Sequence, residues 1–352
     1  MKSIISGVGV IGISAAVSYK WDRIEDLSKD DATIIERFKH KTGVQGRHSA
    51  SINQTSADFC YAAAEAIINH KMIARNDIGV LVFVTQSPDY RMPATAYVLQ
   101  HRLALSEDCI VFDVNLGCSG YVYGLSIVSS ILQTTNAKYG LLLAGDTAAR
   151  EFSKKKIEKT GHTAGLLFGD AGSATLLENH IGKDMVYLLN ADGSGFRNII
   201  APYAGWRNPD GPGGRGSVSQ MDDIGVFNFA TNKAPEQINH YMQIMGTSPD
   251  YYDCLVLHQA NMMIMKRIAK KTGFKPEKML ISMDRFGNTS SASIPLSLVD
   301  TYGQNNGKNV INAMCCGFGV GLSWGTTCVS VQSEDIIPLV YTDEYYSDGF
   351  QN

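Results

Sequence analysis

Cys118 sits in the stretch Asp113-Val114-Asn115-Leu116-Gly117-Cys118-Ser119-Gly120. An apolar, β-branched run from Cys109 to Phe112 precedes it and reads as a buried strand. Leu125, Ile127, Val128, Ile131 and Leu132 follow at helical spacing. The cysteine therefore falls where a strand gives way to a helix. Unpaired backbone N–H groups and the positive end of the helix dipole favour a thiolate there, the form that attacks carbonyl carbon. Gly117 and Gly120 let the backbone turn sharply and a substrate come close. The same stretch also fits a small buried cysteine that fills a helix–strand contact.

Two further pieces invite chemistry. The run Cys254-Leu255-Val256-Leu257 reads as a strand and ends in His258-Gln259-Ala260-Asn261, so His258 stands at a carboxyl end where a side chain can face a site. A structural histidine is the alternative. The segment Arg285-Phe286-Gly287-Asn288-Thr289-Ser290-Ser291 is a glycine-turned loop, in which Asn288 alone reads as a loop or capping residue.

Elements that must position these residues alternate along the chain. Strand-like runs at 80–85, 110–114, 141–145, 174–177, 185–191, 254–257, 279–283, 310–314 and 326–331 are interleaved with helical spacing at 56–70, 223–245, 262–271 and 293–302. This argues for α/β layers. The segment 204–220, dense in Gly and Pro, reads as a long loop, either a lid or a plain surface excursion. The two halves, 1–177 and 178–332, share one style and suggest a duplicated unit, while 333–352, acidic and tyrosine-bearing, reads as an appended surface segment.

Composition narrows the function classes. With 44% apolar and 18% charged residues the chain is globular, and a formal net charge of -3 gives no global attraction to nucleic acid or to an anionic membrane. No apolar run is long enough to span a bilayer. Seven cysteines, with no C-x-x-C pair, fit a reducing cytosol and no zinc site. Gly7, Gly9 and Gly12 match G-x-G-x-x-G, but the helix and second acidic strand of a dinucleotide site do not follow. The apolar opening reads as a first strand and turn, not a secretory leader.

The cysteine motif, the His258-Gln259-Ala260-Asn261 motif and the Phe286-Gly287-Asn288-Thr289-Ser290 motif, in this order and spacing, resemble ketoacyl-ACP synthase III, a condensing enzyme of the thiolase superfamily. The phrases Phe168-Gly169-Asp170-Ala171-Gly172 and Gly317-Phe318-Gly319 add to the likeness, which runs from about Ile4 to Val331. The resemblance implies a five-layered αβαβα fold of two duplicated halves, a homodimer, and a triad of Cys118 as nucleophile with His258 and Asn288 beside it. It implies an oxyanion hole from the backbone N–H groups of Cys118 and Val320, and substrate contacts at Phe318, Gly319 and Asn261. It also implies acyl thioester substrates on coenzyme A or acyl carrier protein, malonyl carrier protein as the second substrate, and no metal or redox cofactor. Cys315 and Cys316 invite a thiolase reading, but Phe318 holds the place of the second thiolase cysteine, so both read as core residues.

The sequence departs from the family at the coenzyme A grip. Arg37 stands near the adenine-stacking tryptophan, His162 near a pocket arginine, and Met263 in place of an arginine past Asn261. Losing a stack and two phosphate-facing cations weakens a nucleotide grip and points to a specialised pathway. Met92 replaces an aromatic lid that the dimer mate supplies, and Gly117 leaves extra room. Lys266, Arg267, Lys270 and Lys271 form a basic face suited to an acidic carrier protein, with Lys154, Lys155, Lys156 and Lys159 as a second cluster; solvated surface is the alternative for both. The expected reaction is a decarboxylative Claisen condensation in the cytoplasm. Transfer of the Cys118-bound acyl group to an amine or hydroxyl is the rival.

Overall fold

The computed structural model describes residues 1–27, 32–151, 163–181, 184–203, 205–209, 219–304 and 309–350. Strands and helices are numbered below in chain order. One sheet has the order β11-β2-β6-β5-β3-β4, from Val340–Tyr341, Gly9–Val17, Asp170–Glu178, Tyr139–Thr147, Ile78–Val84 and Ile110–Val114. The other has the order β1-β7-β10-β9-β8, from Lys2–Ser6, Asp184–Ala191, Ser323–Gln332, Val310–Gly319 and Cys254–Leu257. The long central strands are apolar on both faces, because both sheets are covered on both sides.

Three apolar clusters show the layering. One lies between the sheets around α4 (Gly120–Thr134) and α7 (Ser293–Tyr302); a second packs the β8 sheet against α5 (Asp223–Met245) and α6 (Met262–Thr272). The third packs the β5 sheet against α2 (Ser56–Lys71) and α3 (Thr95–Arg102). The result is the αβαβα arrangement of a thiolase-like fold. A further helix, α1 (Ala32–Thr42), ends at Gly43, whose φ of +90° suits only glycine. No helix among the described residues is long and apolar enough to cross a membrane.

As the missing dinucleotide pattern leads one to expect, the glycines at 7, 9 and 12 do not open a helix: Gly7 turns β1 into β2, and Gly9 and Gly12 lie inside β2. Two readings of the sequence change. Residues 279–283 are not a strand. Only Met279 bridges Leu255, after which the buried Gln259 amide oxygen accepts from the backbone of Ser282 and Met283 and the chain enters a helical turn. The last segment is more than an appendage. Ile336 and Ile337 are buried, β11 pairs in parallel with β2, and Gln54 donates to the carbonyls of Thr342 and Glu344. Most of the 204–220 loop lies outside the described residues; its flanks pair as Ile199–Ile200 with Gln220–Met221.

Candidate active site

A cleft of about 1010 Å³ is lined by Cys118, His258, Asn288, Phe318, Gly319 and Val320, and its mouth by Arg37, Lys41, Asn261, Met263 and Phe227. That volume suits a sizeable ligand. Each triad residue reaches it from the end of a strand or from a loop pinned to one.

Cys118 sits on the turn between β4 and α4, closed by the Gly120 N–H donating to Gly117 O at 2.7 Å. The carboxyl end of β9 packs directly on it. A Cβ at Gly319 would lie 2.5 Å from Cys118 Cβ and 2.8 Å from its Sγ, and one at Gly317 would lie 2.8 Å from Ser119 Cα. Glycine at both positions is thus a condition of the approach. Burial is the largest influence on the Cys118 thiol and pushes it up to about 11. The backbone amides of Val320 and of Cys118 itself and the Ser290 hydroxyl pull against that shift, while the Asp146 carboxylate adds to it. The helix terminus therefore does not make Cys118 a resting thiolate, contrary to the placement argument, because desolvation of the anion outweighs it.

His258 follows β8 and is buried, its ring edge-on to Phe318 with centroids 5.7 Å apart. Burial lowers it to about 3, so the imidazole is neutral at physiological pH; a backbone hydrogen bond with Ser290 opposes the shift. Its Nδ1 lies 2.8 Å from Ser293 Oγ. With the hydroxyl donating, the ring proton resides on Nε2.

Asn288 is held by strand-like pairing. Its N–H donates to Leu167 O at 2.8 Å and its carbonyl accepts from Gly169 N at 3.1 Å. A Cβ at Gly169 would collide with Phe286 O, and Gly287, at φ +65°, makes the turn. The buried Arg47 braces the facing segment by donating to Gly165 O and Phe168 O. Asn288 Oδ1 accepts from Ser290 N at 2.9 Å, which leaves the NH2 group as the end free for a substrate.

The other residues named from the sequence distribute unevenly. Asn261 lines the cleft but also caps α6, its Oδ1 accepting from Ile264 N. Met92 is 79% exposed and does not line this chain's own cleft. Of the basic face on α6, Lys271 is committed to α5 through Thr231 O and Asn232 Oδ1, and Arg267 stacks over Phe227, while Lys266 and Lys270 are exposed. His162 and the lysines at 154, 155, 156 and 159 lie outside the described residues. Cys315 and Cys316 are buried in β9, away from the cleft. Gln86, Asp146, Ser290, Ser291 and Ser293 were missed. Asp146 ends a predicted strand just as His258 does, and that was the available signal.

Comparison with known proteins bears on the family and the fold. Models of 3-oxoacyl-(acyl-carrier-protein) synthase III match residues 112–193 and, for its C-terminal part, residues 242–331. The β-ketoacyl-(acyl-carrier-protein) synthase III of Rhodopirellula baltica is 30% identical over 348 residues, covering 92% of this chain and 98% of that protein. The Symbiobacterium thermophilum protein of the same name is 30% identical over 329 residues, covering 91% and 97%. The crystal structure of a 3-oxoacyl-(acyl-carrier-protein) synthase from Burkholderia xenovorans superposes with a TM-score of 0.91 at 33% identity, over 97% of this chain and 99% of that one. The chain is an acyltransferase that belongs to the 3-oxoacyl-(acyl-carrier-protein) synthase III family.

Proposed function

We propose that the chain condenses an acyl group carried on Cys118 with a malonyl thioester, with loss of carbon dioxide. The observation that carries this is the convergence on one cleft of a thiol under two backbone amides, a neutral imidazole and a free amide NH2. Cys118 sulfur attacks the donor thioester; the amides of Cys118 and Val320 bind the oxyanion, and the departing thiolate takes the proton that Cys118 gives up. The malonyl thioester then loses carbon dioxide. The electron pair of the broken C–C bond passes into an enolate whose oxygen is held by His258 Nε2–H and Asn288 Nδ2–H. The enolate carbon attacks the acyl-Cys118 carbonyl, the C–S bond breaks, and Cys118 regains a proton from solvent. The product is a 3-oxoacyl thioester.

The second substrate in this reading is borne by acyl carrier protein, docked at the exposed Lys266 and Lys270 beside the mouth. The lack of a stacking ring at Arg37 and of a cation at Met263 at that mouth supports a thioester other than ordinary acyl-coenzyme A and a specialised pathway, which this reading places in the cytoplasm. Two chains pair along the unpartnered edge of β4, where Ile110 is 45% exposed, placing Met92 at the mate's acyl pocket. Light scattering at twice the chain mass checks this; a monomer at micromolar concentration refutes it.

Intact mass after exposure to acyl-coenzyme A and acyl-carrier-protein donors, wild type beside Cys118→Ala, tests the chemistry. The expected adduct needs Cys118 and is discharged by malonyl carrier protein with release of carbon dioxide. An adduct that malonyl thioester leaves in place, but an amine or hydroxyl acceptor removes, establishes simple acyl transfer instead.

A further inference from the structure

Asp146, near the end of β5, is buried, and no cation pairs with it among the described residues. Its two oxygens serve different parts of the molecule. Oδ1 accepts from Gln86 N at 2.7 Å, from Thr85 Oγ1 at 3.2 Å and from Ser87 Oγ at 3.4 Å, all just past β3 in the cysteine-bearing half. Oδ2 accepts from Ser291 Oγ at 2.8 Å and from Ser291 N at 3.2 Å, in the asparagine-bearing half. A buried carboxylate without a cation is costly unless donors surround it, and here donors from both halves do so.

The segment that Oδ2 holds reaches every member of the triad. It begins with Asn288, Ser290 acts on Cys118 through its hydroxyl and on His258 through its backbone, and Ser293 Oγ meets His258 Nδ1. Ser290 has a φ of +51°, a left-handed conformation that costs a non-glycine residue about 1 kcal/mol and persists only where neighbours over-determine it. The hydrogen bonds on either side, Ser290 N to Asn288 Oδ1 and Ser291 to Asp146, supply that constraint.

We propose that Asp146 is a positioning residue for the condensation step: it ties the 288–293 segment to the end of β3 across the two halves and thereby holds Asn288 and His258 in donating geometry beside Cys118. An asparagine at 146 retains one acceptor oxygen and sets an NH2 group against donors, so one of the two attachments is lost. The kinetic part of the test rests on the condensing reading; the structural part does not.

The experiment compares wild type, Asp146→Asn and Ser291→Ala, each first shown by its thermal transition to be folded. Three quantities are read: amide hydrogen exchange at 288–293, loading of Cys118 by an acyl thioester, and carbon dioxide release from malonyl carrier protein. Exchange in the segment is expected to quicken and carbon dioxide release to fall about a hundredfold, as a displacement of about 1 Å costs at an active site, with a far smaller effect on loading. Unchanged exchange overturns the proposal whatever the activity. Equal loss of loading and of carbon dioxide release also overturns it, because general loosening of the fold does that. Wild type that loads but never releases carbon dioxide instead tells against the condensing reading, and the exchange data still decide the role of Asp146. If Asp146→Asn fails to fold, Ser291→Ala, which keeps the carboxylate, its contacts after β3 and the Ser291 N–H but removes the shorter hydroxyl tie, decides alone, with a smaller quickening of exchange expected and unchanged exchange again overturning the proposal.

Discussion

Cys118 shows how two effects of opposite sign compete at one atom. The start of α4 and two backbone amides favour the thiolate, yet burial wins and the thiol is pushed up to about 11. Alkylation by iodoacetamide, taken as the difference between wild type and Cys118→Ala, is therefore expected to rise about tenfold per pH unit through the neutral range, tracking the thiolate fraction. A plateau already reached by about pH 8 contradicts this. His258, lowered to about 3, stays neutral across that range and adds no inflection. Pattern alone put Cys118 and His258 at strand ends and left Asn288 a loop or capping residue; only the resemblance of three motifs in order grouped them, and the structure sets all three on one cleft. The serines at 290, 291 and 293 were not legible, because a run of Ser in a loop looks the same whether it solvates a surface or ties a site together.

Among elements, the glycine-punctuated end of β9 shows most directly how backbone shape serves chemistry. Gly319→Ala sets a methyl group against Cys118 at less than van der Waals distance, with no flexible neighbour to yield. Loading of Cys118 is expected to fall about a hundredfold, against a stability loss of about 1–3 kcal/mol. Loading at the wild-type rate refutes that crowding. Long helices and the short β8 could be read closely from spacing, α5 and β8 beginning and ending where the pattern places them, whereas β6, β9 and β10 run several residues beyond the runs 174–177, 310–314 and 326–331. Met279 to Met283 could not be read so, since an apolar run carries no sign that a distant side chain, here that of Gln259, will take its amides and turn it into a helix. The tail misled for the same reason. Its few apolar residues are too sparse to show a period, and only pairing with β2 gives them a place.

At the scale of the molecule, the cleft opens beside α6, so a carrier protein that docks there delivers its arm to Cys118 over a short path. Lys266→Glu combined with Lys270→Glu is expected to raise KM for carrier-borne malonyl about tenfold and to spare a small malonyl thioester. Equal effects on both substrates dismiss docking at this face. Lys271 is the wrong choice for such a test, because its ammonium holds α5 and its loss loosens the helix pair. Alternation of elements pointed to α/β layers and the resemblance to their five-layer order, but neither pointed to the exchange of edge strands: β1 borders the sheet of the second half, and β11 borders that of the first.

That crossing of the ends bears on how the protein can be divided. A break between β6 and β7 leaves each fragment without an edge strand that its counterpart carries, so neither piece is a self-sufficient module. Each displays a bare sheet border that only the other's terminus fits. Fragment complementation here amounts to a reciprocal strand swap, and tags fused at either end sit beside the half to which they do not belong in sequence.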